Sequence, residues 1–204
     1  KNWALEPHRS IAVMGSDSLT KDEKKEREGD MAENKVLQNG LKVDVVWTID
    51  KFEGNLTGEQ RKAYLTGKLQ PYKRTVFKGN VGLNEGINEL LKLITGVGSP
   101  TAYNAANARI GVGDSDVAAD PTQTGLQGAS KAWKGMMADY PKVENQTATW
   151  RSEFLNNEAV FAWKEFTIVN AADDTGKNLD RKVSDQGTKP NTETWIATGQ
   201  ITIS

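Results

Sequence analysis

The chain has 204 residues, with 26 Lys and Arg against 27 Asp and Glu, so its net charge of −1 gives no general pull toward nucleic acid or an anionic membrane. Cysteine is absent and there is one histidine, which removes disulfide stapling and thiolate chemistry and argues against a zinc centre. No apolar run approaches the roughly 20 residues a membrane-spanning helix needs, and the length suits one domain with a terminal extension.

Residues 1–34 show little sustained apolar periodicity and include the mixed-charge run Lys21-Asp22-Glu23-Lys24-Lys25-Glu26-Arg27-Glu28. Such a segment buries little surface of its own and reads as a polar N-terminal arm or linker. Within it Thr20 and Glu23 have capping-box spacing, and Met31-Ala32 has the form of a translational start, which would make the preceding residues an upstream extension. Trp3 is the arm's candidate partner contact, because a large aromatic on a mobile extension can fill a neighbour's pocket.

The remaining residues, 35–204, are expected to form one β-rich domain. Leu41, Val43, Val45, Trp47 and Ile49 alternate with more polar residues, predicting a strand with that set on its buried face. Thr57 and Gln60 form a capping-box pattern ahead of a short helix containing Ala63 and Tyr64, ended by Pro71. A second strand is expected over residues 72–81.

Asn84 then has the chemistry of an N-cap, Gly96 that of a C-terminal stop, and between them Ile87, Leu90, Leu91 and Ile94 make one apolar stripe. The stripe is expected to face the core, where four such side chains contribute about 6–12 kcal/mol before entropy is counted. Further strands are predicted over residues 108–112, around Trp150, over 160–169 and 179–183, and from Trp195 to Ile203. Between 160 and 169, Phe161 and Trp163 fall on one parity and Phe166 and Ile168 on the other, which requires two buried faces or a bulge. The fold class that follows is β-rich α+β, a sandwich-like antiparallel sheet with one or two packed helices and an N-terminal arm.

Candidate chemistry is sparse. Gly113-Asp114-Ser115 superficially resembles the nucleophile block of some serine hydrolases, the enzymatic alternative for this chain. The base would have to be His8, folded back from the arm, so a turn is the simpler expectation. Asp114, Asp116 and Asp120 supply hard oxygen atoms, but Ala119 and Gly125 stand where an EF-hand loop needs glycine and glutamate. Neither a cofactor nor a metal is implied.

The ordered set Gly86-Ile87-Asn88-Glu89-Leu90-Leu91, Ala108-Arg109-Ile110-Gly111-Val112-Gly113-Asp114-Ser115, Trp150-Arg151-Ser152-Glu153-Phe154, residues 161–171, Leu179-Asp180-Arg181-Lys182-Val183 and Ile201-Thr202-Ile203-Ser204 resembles a family of virion structural proteins of tailed bacteriophages. The likeness runs from about Val36 to the end of the chain. It implies a non-enzymatic accessory protein of the particle, decorating or cementing the capsid surface, or alternatively a tail-associated or receptor-binding appendage. Phage capsid or tail proteins, further copies of the chain in symmetric assembly and, under the alternative, a host surface receptor are the partners it implies. The corresponding location is the virion surface, after assembly in the bacterial cytoplasm.

Overall fold

The computed structural model of the protein describes residues 41–204, so Trp3, His8 and the rest of the arm lie outside the described residues. Ten strands and two helices follow in chain order: β1 (Val43–Glu53), α1 (Gly58–Leu65), β2 (Lys73–Lys78), β3 (Val81–Gly82), α2 (Asn84–Thr95), β4 (Arg109–Gly113), β5 (Lys131–Gly135), β6 (Lys142–Glu144), β7 (Thr147–Phe154), β8 (Glu165–Val169), β9 (Asp180–Val183) and β10 (Glu193–Ile203). They form two antiparallel five-stranded sheets, ordered β2-β1-β10-β7-β6 and β3-β9-β8-β4-β5. This is the expected β-rich α+β sandwich. No helix among the described residues is long and apolar enough to cross a membrane.

The first sheet is organised by β1 and β10, which pair along their whole length from Val43 opposite Ile203 to Glu53 opposite Glu193. Alternation along these strands turns Val45, Trp47, Ile49, Trp195 and Ala197 inward, where all are buried. Phe166 and Ile168 of β8 meet them from the second sheet. Trp163 joins the layers, edge-on to Phe154 at 4.8 Å and to Trp195 at 4.9 Å between ring centroids, a geometry favoured by the ring quadrupoles. Gly199 makes room for this packing, since a Cβ there would lie 3.2 Å from the Trp47 ring and 3.1 Å from Ile168.

Three sequence expectations are corrected. Residues 160–169 are not one strand: Trp163 is buried, but its backbone bonds to the loop ahead of β10, donating to Gly187 and accepting from Gln186, and β8 begins only at Glu165. Pairing with that loop accounts for the parity change, and every residue of β8 is buried because the strand is covered on both faces. The expected strand over 72–81 divides at Gly79, whose φ of +75° turns the chain from one sheet to the other. Leu41 and Val43, expected on a buried face, are exposed, because inward burial along β1 begins at Val45.

The short helix α1 has the anticipated capping box, with the Gln60 N–H donating to Thr57 Oγ1 at 3.2 Å and the Thr57 N–H to Gln60 Oε1 at 2.8 Å. It ends at Leu65, well before Pro71. Buried Asp50 ties it to the sheet: the carboxylate accepts the Tyr64 hydroxyl at 2.6 Å and a bidentate pair from Arg74 at 2.6 and 2.8 Å.

Asp180 is a different kind of buried carboxylate. It accepts from the Ile168 N–H at 3.1 Å and the Asn80 side-chain amide at 2.8 Å. Burial pushes its pKa up to about 6, and these hydrogen bonds only partly oppose the shift. Because the folded-state pKa exceeds the unfolded one, protonation favours the fold: the contribution is full below about 3.8 and is lost as pH rises through about 6. Stability of the native protein relative to Asp180→Asn should therefore fall by about 3 kcal/mol between pH 3.8 and neutrality. Urea denaturation of both proteins across that range checks this, and a pH-independent difference would remove Asp180 as the titrating group.

Candidate binding surface

Helix α2 is amphipathic as the sequence indicates, but it is docked the other way round. Ile87, Leu90, Leu91 and Ile94 are 46, 36, 54 and 79% exposed, whereas Gly86 and Glu89 are buried and Leu93 half-buried. The expected core stripe faces outward. Two features of the opposite face explain the rotation. Gly86 lies directly against the backbone of Asn178 and Leu179, where any Cβ would overlap them. Glu85 and Glu89, one turn apart, fasten the same face. Glu85 accepts the Asn178 N–H at 2.9 Å, and Glu89 accepts the Thr101 N–H at 2.7 Å.

The N-terminal assignment changes with the docking. Leu83, not Asn84, is the N-cap, with no side-chain cap bond, and its buried side chain anchors the start of the helix. Gly96 ends the helix in the left-handed region at φ +67°, as anticipated.

Beside the outward stripe lies a groove of about 390 Å3. Leu90 forms one wall, and Val143, Ala148, Trp150, Ile201 and Ile203 of the first sheet line the other side, so the lining is almost wholly apolar. The groove exists because the inward face of the first sheet stays open at this end, where Val43, Val143 and Ile203 remain exposed. Together with Ile87, Leu91, Ile94 and Val97 it makes an apolar surface of the kind that marks association sites.

The Gly113-Asp114-Ser115 segment has a structural occupation. It opens the irregular stretch between β4 and β5, and Ser115 Oγ accepts the Val117 N–H at 3.2 Å in a local turn. The Asp114 carboxylate accepts the Ser130 N–H at 3.0 Å, which holds its pKa below the usual carboxylate range. Asp116 pairs instead with Lys164 at 3.2 Å, and Asp120 accepts the Thr122 N–H at 2.8 Å. The three aspartates do not converge, and among the described residues no cluster of metal-ligating side chains occurs.

Against the same stretch, Glu165 of β8 is a polar anchor that sequence periodicity did not single out. Its carboxylate accepts the Gln127 N–H at 2.9 Å, the Gly128 N–H at 2.7 Å and Arg181 Nε at 2.7 Å. Arg181, from β9, donates onward to the Val117 carbonyl at 2.9 Å and Gln123 Oε1 at 3.0 Å. Glu165 and Arg181 are completely buried. Their recognisable signal is a charged residue at or next to the start of each of two short strands, legible only once the strands are known to pair.

Of the tryptophans assigned to strands, Trp47, Trp150, Trp163 and Trp195 are all buried, although Trp163 lies just outside a strand. Trp133 is half-buried on β5. Comparison with protein-family models, curated proteins and solved structures finds no match.

Two measurements follow from this geometry. Leu91→Lys and Ile94→Lys should each change stability by no more than about 0.5 kcal/mol, as exposed substitutions do. Gly86→Ala should cost about 1–3 kcal/mol through overpacking. Reversible denaturation distinguishes this orientation from one with the stripe in the core, which would reverse the order. Arg181→Met should cost about 3–5 kcal/mol by leaving the Glu165 charge buried without its cation. Hydrogen exchange at the Gln127 and Gly128 amides should rise with it, and unchanged protection there would show that the loop does not depend on the pair.

Proposed function

We propose that the chain is a non-enzymatic accessory structural protein of a tailed-phage particle, and that it decorates the capsid surface by docking the outward face of α2 on a shell protein. The observation that carries this reading is the helix orientation. Glu85, Gly86 and Glu89 hold the apolar stripe away from the core, so its burial free energy is available to an assembly partner. Alongside stands the ordered set of segments that resembles virion structural proteins.

The use of the chemically suggestive residues supports the same reading. Ser115 is engaged in a turn, Asp114 ties that turn to β5, and Glu165 is consumed in ordering the intervening loop. These contacts order the β4–β5 connection, and Glu85 and Glu89 separately fasten α2 to Asn178 and Thr101. Decoration needs a rigid patch that loses little entropy on docking.

Immunogold labelling of intact particles should place the protein over the shell, and Leu91→Lys/Ile94→Lys should lower its occupancy at least tenfold while circular dichroism stays native. Labelling confined to the tail tip would favour a receptor-binding appendage. Unchanged occupancy of the double variant would remove α2 as the attachment face.

A further inference from the structure

Beyond β6 no strand of the described residues continues the first sheet. Which backbone groups that edge leaves free follows from the hydrogen-bond phase. Lys42 and Ser204 exchange both backbone bonds, at 2.7 and 2.9 Å, so the even-numbered residues of β10 bond toward β1 and the odd-numbered ones toward β7. Ile201 stands opposite Ala148, so the even-numbered residues of β7 bond back to β10 and the odd-numbered ones face β6. The Arg151 carbonyl fits this phase, accepting the Met137 N–H at 2.8 Å on that side. Thr149 and Thr147 therefore bond to their partners Lys142 and Glu144, and the N–H and C=O of Val143 point outward from the sheet.

The side chains of this edge are complementary to themselves. All three residues of β6 are exposed, Val143 at 74%, and the Val143 side chain lines the apolar groove. In an antiparallel pairing centred on Val143, each Val143 faces its counterpart and the two exchange both backbone bonds. Lys142 then faces Glu144 of the other copy, twice by symmetry, at positions where opposite charges attract across the strands. Sliding the pairing by two residues in either direction sets Lys142 against Lys142 or Glu144 against Glu144. The charges thus select one register.

We infer that the protein forms a two-fold symmetric dimer through β6, in the register centred on Val143, joining the first sheets of two copies into one continuous sheet. Three paired residues alone are small beside a standard interface of about 1,600 Å2. The apolar groove on the Val143 face supplies further contact from each copy, as its walls Leu90, Ala148 and Ile203 stand next to the joined edge. Sheet extension also pairs the outward N–H and C=O of Val143, which an open edge leaves to water. The inference is independent of the particle reading: dimerisation is read in solution, and its failure leaves docking through α2 untouched.

The test is sedimentation velocity on the full-length chain across a concentration series, with Lys142→Glu and Glu144→Lys made separately. The unaltered protein should dimerise. Each single variant, which places like charges opposite one another at both symmetric pairs, should associate at least tenfold more weakly. An equimolar mixture of the two variants restores both attractive pairs in a heterodimer and should recover the lost affinity, as should Lys142→Glu/Glu144→Lys in one chain. All substitutions are at exposed positions, and circular dichroism should show an unchanged fold. A monomer persisting to about 1 mM, where association would be no stronger than about −4 kcal/mol, overturns the dimer. Single variants that dimerise like the parent, or a mixture that fails to recover, overturn the register.

Discussion

The close approach of α2 to the chain entering β9 is the constraint on which the exposed surface depends. Gly86 lets the helix backbone rest on Asn178 and Leu179, and no other residue type fits without displacement. Once that contact is made, rotation about the helix axis is fixed by the carboxylates on the same side, Glu85 toward Asn178 and Glu89 toward Thr101. A polar face is thereby packed inward with its hydrogen bonds satisfied, and an apolar face is delivered to the outside. The cost of holding Ile94 and Leu91 in water is a reason to expect that face to be covered in an assembly.

Buried carboxylates do comparable work elsewhere. Asp50 holds α1 through Tyr64 while pairing with Arg74 of β2, and Glu165 holds the β4–β5 connection through two backbone amides and Arg181. In both cases an acidic side chain on a sheet fixes a segment that has few apolar residues with which to pack itself. Burial raises the pKa of Asp180, which has no cation among its hydrogen-bond partners to oppose that shift. The paired carboxylates order the body, while the uncompensated one makes its stability sensitive to pH.

The two surfaces proposed for docking arise from the same uneven layering. The first sheet has two eleven-residue strands, β1 and β10, whereas β8 and β9 of the second have five and four. Inward-facing residues near the end of the longer sheet remain open there, which creates the apolar groove between Leu90 and Val143. On one side of the groove stands the outward stripe of α2. On the other is the edge of β6, with one outward-facing backbone pair at Val143. A helix face suited to a flat apolar partner and a strand edge suited to its own copy are therefore compatible in one molecule.

The sequence by itself determined the fold class, the first and last strands of the domain and the burial of Trp47, Trp150, Trp163 and Trp195, because alternation at period two states which side of a half-buried strand is apolar, but it did not reveal that those two strands pair. It also determined α1, through the capping box of Thr57 and Gln60, and the span of α2, through Gly96 and the spacing of its apolar residues. It left β5 and β6 unread, since Lys131–Gly135 and Lys142–Glu144 are short and carry more charge than apolar pattern. Only the tertiary structure decided which face of α2 is buried. Periodicity reports that a helix has two faces, but burial depends on what the neighbouring chain offers, and here the backbone at Asn178 and the amide of Thr101 select glycine and glutamate over leucine and isoleucine. Tertiary structure likewise decided the role of Glu165, whose amide partners at Gln127 and Gly128 lie 38 and 37 residues away along the chain, beyond the reach of any local pattern.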